Sequence, residues 1–217
     1  MSISSIGQGA APAALRTLRD EVAVIGNVHR ARGVVTANVS DLTAFTVASN
    51  DGLTYAAGEI VLLVGQSTGT QNGPYVVGTV ASTTAPLTRP AWWAAASVQP
   101  AGTEFFINEG TSWKHSRWFA TVAGAITVGT TSPAFYPRMQ KGVTTALSGT
   151  PGTKTVTGVW LLATTSSILL TANTPGGTAG FLSAPVASRT AGPGASGQFV
   201  INSSANDTAT VDWVVIN

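Results

Sequence analysis

Cysteine is absent from all 217 residues, which excludes a disulfide framework and a thiolate metal site and leaves the redox compartment open. Charge is almost as scarce: only 9% of residues are Asp, Glu, Lys or Arg, against about 25% in an ordinary soluble domain. Much of the surface must therefore be Thr, Ser, Ala and Asn. Such a surface suits burial in subunit contacts or in a large assembly, and a structural oligomer is the expectation. The formal net charge is +2 with the basic residues scattered, so no nucleic-acid partner is expected. Long apolar runs are missing too. The longest candidate, residues 160–170, is interrupted by Thr-Thr-Ser-Ser and is too short to span a bilayer, so no membrane insertion is expected. The polar, uncharged opening from Met1 to Gln8 lacks the basic stretch and apolar run of an export signal.

Catalytic groups are few. A nucleophile, base and orienter would have to use His29 or His115, and neither stands near a Gly-x-Ser-x-Gly elbow or a pair of carboxylates. Glu104 and Glu109 flank Phe105-Phe106-Ile107, but on one strand residues five apart point to opposite faces, whereas a glycosidase needs two carboxylates across a cleft. Asp41, Asp51 and Glu59 are conceivable cation ligands, yet Asp51-Gly52 is better explained by turn chemistry and Asp41 by a loop or cap. Gly176-Gly177-Thr178 has neither the Lys nor the helix of a phosphate loop. The chain is therefore read as having no enzymatic activity, no cofactor and no metal.

What the sequence does have is turn residues set between β-formers. Asn50-Asp51-Gly52 and Gln71-Asn72-Gly73-Pro74 stand beside Gly58-Glu59-Ile60-Val61-Leu62-Leu63-Val64 and Tyr75-Val76-Val77, the composition of short strands joined by tight reversals. Strands are expected over 34–37, 44–47, 60–64, 75–80, 103–108, 113–120 and 125–128. After a short polar connector at 139–141, further strands are expected over 155–162, 167–172, 181–187, 198–203 and 209–216. In that last stretch Lys154, Arg189, Asp207 and Asp212 are the only charges after Gly142.

One segment reads as a helix. Residues 12–25 are rich in Ala, Leu, Arg and Glu, open with Pro12 and end before Gly26. Leu15, Leu18, Val22 and Ile25 step by three, four and three residues, the spacing of a coiled-coil seam, with Ala11 and His29 extending the phase. The stripe is short, so it serves either as an oligomer seam or as an amphipathic face packed on its own domain or a neighbouring protein.

Aromatic and basic residues interleave in the middle of the chain. Trp92-Trp93 follows Arg89-Pro90, and Trp113 and Trp118 bracket Lys114, His115 and Arg117. Trp offers an apolar face and Arg a planar donor fork, so such sets can stack on sugars; they can equally be the core of a small β domain. Trp113 and Trp213 are expected in the core. Trp93, following Trp92 directly and so facing the other side of a strand, is the candidate glycan contact.

These elements resemble a β module recurrent in virion proteins of tailed bacteriophages: Asn38 and Leu42, Asp51-Gly52, Gly58 to Leu63, Gln66, Asn72 to Tyr75, Arg89 with Trp92, and Gly124 to Thr130 fall in its order. Residues 167–171, 176–180, 199–204 and 207–213 resemble a second phage module, with a longer loop over 184–197 than that pattern carries. The resemblance implies a virion-surface structural protein: a homotrimeric capsid decoration (cement) or head-fibre protein bound to the major capsid protein. Two other roles stay open, a tail fibre or fibre adaptor, with a tail adaptor as its partner, presenting a module to a host surface glycan, and a free carbohydrate-binding lectin.

The expected fold is mainly β, a short N-terminal helix in residues 1–32 followed by two small antiparallel β modules of sandwich or barrel type, 33–138 and 139–217.

Overall fold

The computed structural model describes residues 28–217. The helix expected over 12–25, with the stripe Leu15, Leu18, Val22 and Ile25, lies outside the described residues. Within them the chain is mainly β, with short 3-10 turns and no α-helix.

The first four strands are β1 (Val28–Ala31), β2 (Gly33–Val35), β3 (Phe45–Thr46) and β4 (Ile60–Leu63). They are followed by β5 (Gly73–Val77), β6 (Thr84–Ala85), β7 (Leu87–Thr88) and β8 (Val98–Gln99). Next come β9 (Glu104–Ile107), β10 (Arg117–Thr121), β11 (Ile126–Thr127) and β12 (Ala134–Pro137). One sheet runs β2-β4-β5-β7 and another β1-β9-β10-β12, with two-stranded ribbons β3-β6 and β8-β11 at their margins. The wholly antiparallel expectation needs correcting, because β1 lies parallel to β9 and β2 parallel to β4. Long excursions separate the members of each pair, and a parallel pairing needs such a crossover where a hairpin turn would impose the antiparallel one.

Strand β4 shows why its sequence is a continuous apolar run. Val61 and Leu63 enter a cluster with Phe45, Tyr55, Tyr75 and Leu87, while Leu62 enters the neighbouring cluster around Trp93, Phe105, Trp118 and Phe135. A strand buried on both faces loses the polar alternation of a surface strand.

Turn chemistry splits into one success and one surprise. Asp51 (φ 50) and Gly52 (φ 76) are both left-handed, and Asn50 bridges Leu53, as a primed hairpin turn requires. Asn72, by contrast, is extended (φ −61, ψ 146) at the end of a 3-10 turn, Gly69–Gln71. Its buried amide instead clips the chain, accepting from Gln66 N at 2.9 Å and donating to Pro133 O at 3.0 Å. Gln66 in turn accepts from Val39 N, and Asn38 accepts from Ser67 N at 2.8 Å. The spaced Asn and Gln residues of this block are thus one set of backbone clips.

The C-terminal part comprises β13 (Met139–Val143), β14 (Thr153–Thr157), β15 (Ser167–Thr174), β16 (Leu182–Ser183), β17 (Gln198–Ser203) and β18 (Thr210–Ile216). Two three-stranded antiparallel sheets, β13-β18-β15 and β14-β17-β16, enclose a cluster of Val156, Phe199, Ile201, Val211, Trp213 and Val215. Strict alternation of burial along β17 and β18 is the period-2 signal of a strand with one solvated face. Residues 139–141, expected to be a connector, instead open the edge strand β13, paired from Met139↔Ile216 to Val143↔Asp212. Its exposed polar positions hide the strand in the sequence. Gly142 is needed there because a Cβ would run into the indole of Trp213.

Two clips hold the loops of this part. Buried Asp207 accepts from Ala209 N at 2.8 Å and Gly180 N at 3.3 Å. Arg189 donates to the carbonyls of Ala184, Thr164 and Ser166, tying down the long loop over 184–197.

Candidate functional site

The turn between β9 and β10 and the start of β13 border a cleft of about 600 Å³. Its lining includes Phe106, Trp113, Lys114, His115, Arg117, Arg138, Gln140 and Lys141, and no Asp or Glu. The turn is pinned from below by backbone bonds, His115 N to Ile107 O at 2.8 Å and Ile107 N to Ser116 O at 2.9 Å. His115 adopts a left-handed φ of 61, a conformation that costs a non-glycine residue free energy and must be held by its surroundings. Its ring stacks over Phe106 at 6.2 Å, and the Arg30 guanidinium also lies over Phe106, 5.9 Å from the centroid.

Trp113 is half-buried and meets the fully buried Trp118 edge-to-face at 4.8 Å. Trp118 Nε1 donates to Ser116 Oγ at 3.0 Å, and that hydroxyl donates to Trp113 O at 2.6 Å. The ring is therefore oriented by its own turn. The turn is also held from outside: Asp51 accepts from Ser112 N at 2.8 Å and Trp113 N at 3.1 Å, and its backbone oxygen accepts from Thr111 N. The Asp-Gly hairpin tip therefore acts as a clamp on the Trp113 loop.

The electrostatics are one-sided. Glu104, on β9, accepts from Arg138 Nε at 2.9 Å and lies 3.6 Å from Arg117. One carboxylate thus aligns two guanidinium groups and offsets only part of their charge. Among the described residues the Lys114 and Lys141 side chains make no hydrogen bond or ion pair. Gln140 is committed to structure, accepting from Trp160 N at 2.8 Å. Chemically the cleft offers aromatic surface for the flat face of a ligand and cations for its anionic groups.

The residues singled out in the sequence fall out as follows. Trp93, expected to be exposed, is 1% exposed and packs edge-to-face on Phe105 at 5.6 Å. The pair sits on a 3-10 turn, Ala91–Trp93, so the alternation of a strand does not govern it and Trp93 turns inward. Trp92 is half-buried, its ring stacked on His29 at 3.9 Å, and His29 belongs to β1, not to a helical seam. Arg89 is half-buried over Tyr75, 4.0 Å from the ring centroid, and donates to the carbonyls of Thr70, Asn72 and Pro74; the loss of solvent around it pushes its guanidinium pKa down. Glu109 and Glu59 both bind Arg32, so neither shares a site with Glu104. Asp41 accepts from the Thr43 N–H and hydroxyl within its own loop.

Trp113, Lys114, His115 and Arg117 were visible in the sequence as an aromatic and basic run. Arg138 and Lys141 were missed as members of the same site, because only the tertiary fold brings β13 beside the β9–β10 turn. Among the described residues no group of three or more His, Asp or Glu is placed to hold a metal, and no helix is long and apolar enough to cross a membrane.

Residues 120–216 match the family model described as K1 capsule-specific polysaccharide lyase, C-terminal domain. The match runs from the end of β10 through β18, somewhat under half of the chain. No curated protein and no solved structure matches the chain. The match stands against the expectation that the chain has no enzymatic activity, because it is to a domain of an enzyme. Over this segment, which takes in β11, β12 and the charge-poor C-terminal sheets, it is similar to the C-terminal domain of a polysaccharide lyase.

Proposed function

We propose that this chain is a fibre- or tail-associated protein of a bacteriophage particle, working with a capsule-polysaccharide-directed enzyme activity at the host surface. The observation that carries the reading is the match of residues 120–216 to the C-terminal domain of a capsule-specific polysaccharide lyase. It favours the fibre role over capsid decoration, since a protein that only cements a shell has no need of a module shared with a polysaccharide-directed enzyme. The resemblance of residues 38–130 to a phage virion module supports a place on a bacteriophage particle and does not choose between the two roles.

A homotrimer fits the outward face of the β13-β18-β15 sheet, where Met139, Val143, Leu169 and Ile216 are 57, 60, 57 and 43% exposed. Sister chains would cover the Val143 and Leu169 part of this face and leave Met139 and Lys141, which line the cleft, open. The stripe Leu15, Leu18, Val22 and Ile25 would attach the chain to its neighbours in the particle. Immunogold labelling of intact virions tests the role: label at the tail or its fibres supports it, and label spread over the capsid shell or absent from particles overturns it. Light scattering tests the oligomer, and a monomer at micromolar concentration removes the trimer.

A further inference from the structure

We propose that the Trp113 cleft binds an acidic saccharide, taking a carboxylate-bearing sugar unit with its apolar face on the indole and its carboxylate among Lys114, Arg117 and Lys141. This inference deepens the polysaccharide reading above and rests on it.

The charge distribution carries the argument. The chain has 11 Lys and Arg residues in all, yet Lys114, Arg117, Arg138 and Lys141 border a single cleft that no carboxylate lines. Glu104 stands behind it, bonded to Arg138 and close to Arg117, so it orders two of the cations and leaves the cleft net positive. Lys114 and Lys141 have no partner among the described residues. Two unpaired lysines beside ordered guanidinium groups are suited to charge-assisted bonds with a carboxylate. A half-buried indole supplies the flat apolar surface that the C–H face of a pyranose needs. The volume, about 600 Å³, lies within the ordinary range of small-molecule sites.

A neutral glycan would leave the lysines without a role. Single-stranded nucleic acid would use the same groups, but it needs a basic track and successive stacking platforms, and the net charge of +2 provides no such track.

The full-length protein is titrated, following tryptophan fluorescence, with polygalacturonate, with hyaluronan, with the methyl ester of polygalacturonate and with oligothymidylate. At least one of the two acidic polymers is expected to bind, the methyl ester roughly tenfold more weakly or worse, and added salt weakens the acidic complex because exposed charge pairs are screened. Lys114→Glu with Lys141→Glu is expected to abolish that binding at an unchanged melting temperature, since neither side chain supports the fold. Trp113→Ala is expected to weaken it by roughly tenfold.

No binding of either acidic polymer, equal affinity for the acid and its ester, or wild-type affinity in the double lysine variant each overturns the proposal. Tighter binding of oligothymidylate, lost in the same double variant, assigns the cleft to nucleic acid instead. Labelling of virions is independent of all these titrations. Tail label without acidic-polymer binding removes only the cleft, and binding without virion label removes only the particle role.

Discussion

The carboxylate of Asp51 accepts the backbone N–H of Trp113 at 3.1 Å across 62 positions of sequence. One hairpin tip thereby holds the backbone from which the Trp113 ring projects. The two are also interlocked sterically, since a Cβ on Gly52 would strike Thr111 and one on Gly110 would strike the Asp51 carboxylate.

Replacing Asp51 by Ala is therefore expected to loosen the 111–113 loop. Hydrogen bonds to a charged acceptor contribute about 1.5–3 kcal/mol each, and partial exposure of the pair places the combined loss toward the low end of that range. The Trp113 environment should become wetter, seen as a red shift of fluorescence, and any ligand affinity of the cleft should fall. An unshifted spectrum with an unchanged melting temperature would show that the clamp is idle.

Trp93→Ala is expected to cost roughly 3–5 kcal/mol, the range for emptying a fully buried tryptophan site, because the side chain is 1% exposed. Glycan binding would be lost only along with the fold. A variant that melts like the wild type but no longer binds cells would restore Trp93 as a surface contact.

Trp160 is 4% exposed and meets Trp118 edge-to-face at 4.9 Å, so a residue after β14 completes the core under the cleft. A double-mutant cycle on Trp118 and Trp160 should give a coupling of about 0.5–1.5 kcal/mol, the usual range for an aromatic pair. Strict additivity in denaturant melts would count against this contact.

His29 titrates below its ordinary value of 6.5 because burial disfavours the charged ring. A depressed folded-state pKa means that the unfolded chain takes up the proton first. Its contribution is therefore complete above pH 6.5 and is lost as the pH falls through the folded-state value. Thermal melts between pH 7 and about 5, above the ordinary carboxylate range, should show a shallower decline in His29→Gln, from a lower starting point because the Trp92 stack is gone. Parallel declines in the two proteins would exclude His29 as the group responsible.

How much of this was legible beforehand depends on the range of the interaction concerned. The β17 and β18 strands, the Asp51-Gly52 turn and the buried Trp213 follow from period-2 patterning, positive-φ tolerance and the need of a charge-poor β chain for large core side chains, whereas Trp113, also expected in the core, is only half-buried. All are properties of a residue and its near neighbours. The aromatic and basic run at 113–117 was visible for the same reason.

What the tertiary structure alone decided is pairing. Nothing local distinguishes a parallel from an antiparallel partner for β1 or β2, and nothing in Met139-Gln140-Lys141 marks an edge strand, because an edge strand with one solvated face carries the side chains of a loop. Asn72 looked like a turn residue and became a clip because its amide found Gln66 and Pro133 from other parts of the chain. The inward turn of Trp93 depended on a 3-10 turn whose reason is the Phe105 surface it covers. The cleft likewise exists only because sheet pairing sets β13 beside the β9–β10 turn, gathering into one place four cations that the sequence spreads from Lys114 to Lys141.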